Sequence, residues 1–303
     1  MGPDKGDTLL KEIQDDEYLE QVSLPNRDDE GSNEPASTCT PYRPFPRVMN
    51  FYSQMNLSGL KYAHLCGDTK EDRLFVFGVH TGYSGSTPLG TRPGLILHNG
   101  LSHKDPILAG SCDESQWAAR VYAFNLKSII LLPPVEATGS GSRDMVSELM
   151  TTTTNDEGGV SYIFTIEAGQ GEKMERRRFE WRQFKKGAQD GADKDGFKLL
   201  SFGSNSGDLG ESSTSASTTA AEATQESAGG RPLAMITWAK LGAKISHPLS
   251  LEFADDTVPA LFGERWALMV VITSLRLWAL RMNGRGKKST VAIAEKIRGK
   301  SAA

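Results

Sequence analysis

The sequence predicts a mainly β fold, a closed antiparallel β-barrel of about twelve strands enclosing one C-terminal hydrophobic α-helix. Three observations predict it. Short runs rich in Val, Ile, Phe, Tyr and Trp recur from Tyr42 to Phe253, with Gly, Pro, Asn and Asp gathered in the gaps. Hardly any helical periodicity separates these runs, so hairpins rather than βαβ crossovers join them. One long apolar helix then follows, and it has no polar face to turn toward water.

Residues 1–40 come first. Asp15, Asp16, Glu17, Glu20, Asp28, Asp29 and Glu30 make this arm acidic within a chain of net charge −4. The arm is poor in aromatic and branched residues, whose burial offsets the entropy of ordering a backbone, so it is predicted to be disordered. The folded domain is predicted over 41–283. Its clearest strands are 59–65, 73–80, 94–98, 106–110, 120–124, 128–132, 161–166, 174–184, 197–202, 233–239 and 245–253. In Arg178-Phe179-Glu180-Trp181-Arg182 charged and aromatic residues alternate, which puts one face in water and the other in a core. Asn99-Gly100 and Gly158-Gly159 supply the positive φ that tight connections need. Residues 136–157, rich in Gly, Ser and Thr, are predicted as a loop, and 203–230 as a disordered insertion. Without the arm and the insertion, about 230 residues remain, a size that single-domain barrels reach.

The helix spans 264–282. Glu264 opens it, Arg281 lies in its last turn and Asn283-Gly284 stops it, as helix polarity prefers. Trp266, Leu268, Met269, Val270, Ile272, Leu275 and Trp278 point all round its axis, so protein or lipid must enclose it. Lipid is disfavoured by length, because a bilayer needs about 20 apolar residues and this run reaches about ten before Thr273, Ser274 and Arg276 interrupt it. An arginine near the bilayer centre would cost a few kcal/mol besides. No transmembrane segment is therefore expected. A sandwich with a peripheral helix would leave part of the helix uncovered, whereas a barrel covers all of it. The last stretch, 284–303, is predicted as a basic tail, since Arg285, Lys287, Lys288, Lys296, Arg298 and Lys300 face only Glu295. Such a tail can approach anionic lipid, nucleic acid or the acidic arm, or serve solubility alone.

Cys39, Cys66 and Cys112 lie far apart, without the paired spacing of a disulfide framework or a structural zinc site. The N-terminus has neither the charged nor the apolar region of a signal peptide. A cytoplasmic protein is expected, with the nucleus and the membrane periphery also open to it.

The run Phe262-Gly263-Glu264-Arg265-Trp266 with its Leu-Met-Val-Val-Ile continuation, preceded by Phe179-Glu180-Trp181-Arg182 and Gly196-Phe197-Lys198-Leu199, resembles uncharacterised fungal proteins of the tubby C-terminal-like group. That group includes LURP-one-related proteins and phospholipid scramblases, and the likeness spans about Arg43 to Met282. The resemblance implies a twelve-stranded barrel with a hydrophobic helix through its centre. Family functions are mixed, so it implies a non-enzymatic barrel whose partner is an anionic membrane lipid or a protein, and no family site maps residue by residue onto this chain. The basic tail beyond Met282 is a departure from the family pattern.

The candidates for lipid-headgroup contact are Arg176, Arg178, Arg182, Lys185 and Lys186, a cationic strand and its flank that would meet phosphate through charge-assisted bonds. An ordinary solvated strand face shows the same alternation. Gly169-Gln170-Gly171 is read as a hairpin loop rather than a dinucleotide-binding turn, because the third glycine is missing. Gly82-Tyr83-Ser84-Gly85 lacks the spacing of a nucleophile elbow. His64, His80, His98, His103 and Cys66 cluster in sequence without a metal-ligand spacing. No catalytic residue, metal or cofactor is implied, and the basic tail lacks the interleaved aromatics of a specific nucleic-acid binder. An enzyme or small-molecule binder with a pocket the sequence does not reveal is the competing class.

Overall fold

A computed structural model of the chain describes residues 44–53, 61–82, 87–114, 126–134, 145–155, 159–185, 187, 194–202, 232–238 and 249–301. They belong to one compact unit, 38–303. Its strands are β1 (Val48–Ser53), β2 (Tyr62–Cys66), β3 (Arg73–His80), β4 (Gly94–His98), β5 (Ile107–Asp113), β6 (Lys127–Leu132), β7 (Val146–Thr154), β8 (Val160–Ala168), β9 (Glu175–Phe184), β10 (Gly196–Ser201), β11 (Ala234–Trp238) and β12 (Leu249–Phe253). Each pairs with its neighbour in sequence, and β12 returns to pair antiparallel with β1. The sheet therefore closes on itself and keeps no free edge.

Alternation builds the interior. Tyr162 and Phe164 of β8 stand opposite Trp181 and Phe179 of β9, and Trp181 stands opposite Leu199 of β10. All five are buried, and the row continues through Ala234 opposite Leu199. The intervening residues face outward, as the pleat requires.

Strand β7 lies where a loop was expected, and β1 lies in the β-rich stretch from Tyr42 but ahead of the strands singled out there. Strand β7 occupies nine residues of 136–157, the segment predicted as a loop. Its core contribution is small, with Met150 as its fully buried apolar side chain, while four threonines fill its end. Thr is β-branched and suits a pleated strand even where it lacks hydrophobicity. Strand β1 precedes the first predicted run. The predicted strand 120–124, the arm 1–40 and the insertion 203–230 fall outside the described residues.

Three helices follow the barrel: α1 (Thr257–Phe262), α2 (Glu264–Met282) and α3 (Lys288–Ser301). Gly263 sits between the first two at φ 92°, a conformation that glycine alone adopts cheaply. The Gly169 amide of the β8–β9 turn donates to the Phe262 carbonyl at 3.0 Å, tying this bend to the barrel rim. Helix α2 then runs through the barrel, and every residue from Trp266 to Trp278 is buried. Trp266 packs against Phe262, Phe179 and Phe253 at one end. Trp278 meets Phe51 and Phe77 edge-on at the other. Each large side chain so enclosed contributes about 1.5–3 kcal/mol of transfer free energy.

The hydroxyls of α2 are satisfied inside, whereas the buried indole N–H groups of Trp266 and Trp278 make no hydrogen bond. The Thr273 hydroxyl accepts the Trp181 indole N–H at 3.0 Å and donates to the Met269 carbonyl at 2.7 Å. The Ser274 hydroxyl donates to the Val271 carbonyl at 2.7 Å. Among the described residues no helix is long and apolar enough to cross a membrane. The stretch predicted only as a basic tail carries α3, which packs against β7 with Val291 and Ala294 buried.

Candidate functional site

Three charged groups of the described residues bear on the site: one at the barrel end where α2 enters, one at the end where it leaves, and one on the outer face of α3. At the entry end Arg265, in the first turn of α2, contacts Glu148 of β7 at 3.1 Å and Glu167 of β8 at 3.4 Å. Its guanidinium also donates to the Pro133 carbonyl. Arg176 of β9 reaches the same two carboxylates at 2.5 Å each. Two guanidiniums thus meet two carboxylates, and the group is neutral. Burial alone would push the Glu167 carboxyl up, but a backbone hydrogen bond and the two arginines hold it below its ordinary value. The hydrogen bond to Glu148 raises Arg176 further.

This geometry bears on the cationic strand singled out above. Arg176 is engaged at the barrel mouth, and Arg182 pairs with Glu180 at 2.8 Å. Arg178 lies over the Phe202 ring, 4.8 Å from its centroid. Lys185 is exposed, and Lys186 falls outside the described residues. The strand therefore presents little uncompensated positive charge.

At the exit end Arg276, enclosed within the barrel, donates to the Asp113 carboxylate of β5 and to the Ser128 hydroxyl of β6, the latter at 3.0 Å. Arg285, in the turn after α2, reaches both oxygens of Asp113 at 2.8 and 2.9 Å. Burial alone would push the Asp113 carboxyl up, yet the hydrogen bond from Arg285 and the charge of Arg276 hold it below the ordinary carboxylate range. The carboxylate locks the helix end to the wall. Sequence reasoning missed this cluster because Asp113 and Arg276 are 163 residues apart.

Helix α3 places its single carboxylate inward. Glu295 accepts from the Thr154 amide at 2.9 Å, the Thr154 hydroxyl at 2.7 Å and the Thr153 hydroxyl at 3.0 Å. Lys287, Lys288 and Lys296 remain exposed. Ile293 and Ile297, one helical turn apart, are 48% and 52% exposed between them. An apolar pair among lysines, with the counter-charge turned away, is the arrangement of an interfacial helix.

Other candidates fall elsewhere. Gly169 to Gly171 forms the β8–β9 hairpin turn, running into a 3₁₀ turn at Gly171–Lys173. Gly82 opens a segment most of which lies outside the described residues. His80, His98 and His103 line a cleft on the outer wall, whereas His64 does not; burial and Arg73 lower its pKa. Among the described residues no three His, Cys, Asp or Glu side chains are grouped to hold a metal ion. Burial pushes the thiols of Cys66 and Cys112 up to about 11, so neither is a nucleophile at neutral pH. No family profile, no curated protein and no solved structure matches this chain.

Proposed function

We propose that the chain is a non-enzymatic barrel of the tubby and LURP-one-related kind that docks on anionic membrane surfaces through α3. The kinship is supported by the shared plan, a hydrophobic helix inside a twelve-stranded barrel. The membrane reading is carried by one observation: α3 exposes Ile293 and Ile297 beside Lys287, Lys288 and Lys296 while Glu295 is bound to the barrel wall. Each lysine near an anionic leaflet contributes about 1 kcal/mol, and the two isoleucines add apolar burial of similar size. The resulting attachment is reversible and salt-sensitive, suited to the cytosolic face of a membrane.

Sedimentation with vesicles tests it. The full chain should pellet with phosphatidylcholine vesicles doped with phosphatidylserine or phosphoinositide and stay in the supernatant with phosphatidylcholine alone. Neutralising Lys287, Lys288 and Lys296 to Gln should weaken binding on the order of a hundredfold. The exposed pair Arg178→Gln and Lys185→Gln should leave it unchanged. Equal pelleting of wild type and the triple variant would refute the role of α3, and no pelleting at low salt would refute membrane docking altogether.

A further inference from the structure

The cleft on the outer wall lies over β2 to β5, away from α3. It has a volume of about 410 Å³. Ile96 and Ile107 form an apolar floor, and the Tyr62 ring makes one wall, stacked on His103 with centroids 4.6 Å apart. Gly78 permits this, since a Cβ there would stand 2.9 Å from the Tyr62 ring and push it off the sheet.

The polar groups of the cleft have settled roles. His98 is 8% exposed, and its Nδ1 sits 2.8 Å from the Asp105 carbonyl. A carbonyl only accepts, so Nδ1 carries the proton and Nε2, which makes no hydrogen bond, is left as an acceptor. His80 shows the mirror arrangement. Its Nε2–H donates to the Gly90 carbonyl at 2.8 Å, leaving Nδ1 as an acceptor. Asp105 spends one carboxylate oxygen on the Ser102 amide at 2.8 Å. Lys104 supplies an ammonium donor at the rim. Thr87, whose hydroxyl lies 3.3 Å from His80 Nε2, and the Tyr62 phenol add groups that both donate and accept, so acceptors and donors stand together around an apolar floor.

We propose that this cleft binds a saccharide, one sugar ring with its C–H face on Ile96 and Ile107 and its hydroxyls donating to His98 and His80. A hydroxyl both donates and accepts, so a sugar satisfies the imidazole acceptors and Lys104 together. A small organic acid fits less well, because its carboxylate would meet the imidazole acceptors and the Asp105 carboxylate with Lys104 as the one Lys or Arg among the described lining residues. The volume is that of a small-ligand site and holds one or two rings.

Titrating the full chain with glucose, galactose, mannose and N-acetylglucosamine tests this, with the His98 and His103 ring signals and the Ile96 and Ile107 methyl signals followed by NMR. At least one sugar should shift them saturably, with a dissociation constant of about 1 mM. His98→Phe keeps the ring and loses the acceptor, so it should weaken that sugar roughly tenfold. The more exposed His80→Phe and Lys104→Gln should each weaken it several-fold and serve if His98→Phe does not fold. Failure of every sugar to saturate, binding indifferent to all three substitutions, or tighter binding of 4-hydroxybenzoate would each overturn the proposal. None of these outcomes depends on vesicle binding by α3.

Discussion

Arg276 lies within the barrel with Asp113 and Arg285, and that carboxylate is what makes the two guanidiniums tolerable there. Breaking one partner of a buried pair costs about 3–5 kcal/mol, far more than the pair contributes relative to apolar residues. Asp113→Asn is therefore expected to lower stability by that amount in urea unfolding at neutral pH. The folded Asp113 carboxyl is depressed below its unfolded value, so its contribution is complete above about pH 4 and is lost as pH falls through the folded value. Urea midpoints taken from neutral to acid pH should fall steeply for the wild type and more shallowly for Asp113→Asn. Equal slopes would remove Asp113 from the acid limb. From sequence, Arg276 served only as an argument against a membrane span. Nothing in Ser111-Cys112-Asp113 marks its partner, because ion pairing across a barrel leaves no local periodicity.

Helix α2 was the most legible element, with the same bounds in sequence and in structure, since Glu264, Arg281 and Asn283-Gly284 punctuate an uninterrupted apolar run. Strand β7 and helix α3 were the least legible, and for related reasons. Each buries few apolar side chains, and they support one another through Glu295 and the Thr153 and Thr154 groups. A Thr run looks like a linker and a Lys-rich segment like a tail until they are placed side by side. Val291 and Ala294, three residues apart, were the available helical signal. Hydrogen bonds to a charged acceptor are worth about 1.5–3 kcal/mol each, so Glu295→Ala should release α3 from the wall. Hydrogen exchange should then speed up across 288–301 with little change elsewhere, and retained protection there would show that Val291 and Ala294 suffice to hold the helix.

At the scale of the whole molecule, closure followed from a simple requirement. A helix apolar on every side needs a wall on every side, and a long meander of short strands supplies one. The cationic strand was legible as a pattern but not as a surface, since Glu148, Glu167 and Glu180 come to it from its own and neighbouring strands. The saccharide cleft left no sequence signature beyond scattered histidines, because its lining comes from four strands and the turns between them.

Order along the chain adds a temporal constraint. All twelve strands leave the ribosome before α2, so the material that fills the lumen is synthesised after the staves that surround it. Until Glu264–Met282 emerges, the nascent sheet has no plug and exposes a row of aromatics to chaperones or to other chains. A chain stopped at residue 262 should accumulate as aggregate, and supplying 257–301 as a separate peptide during refolding should restore a soluble complex. A soluble, cooperatively melting 1–262 fragment would show that the staves can close on an empty lumen.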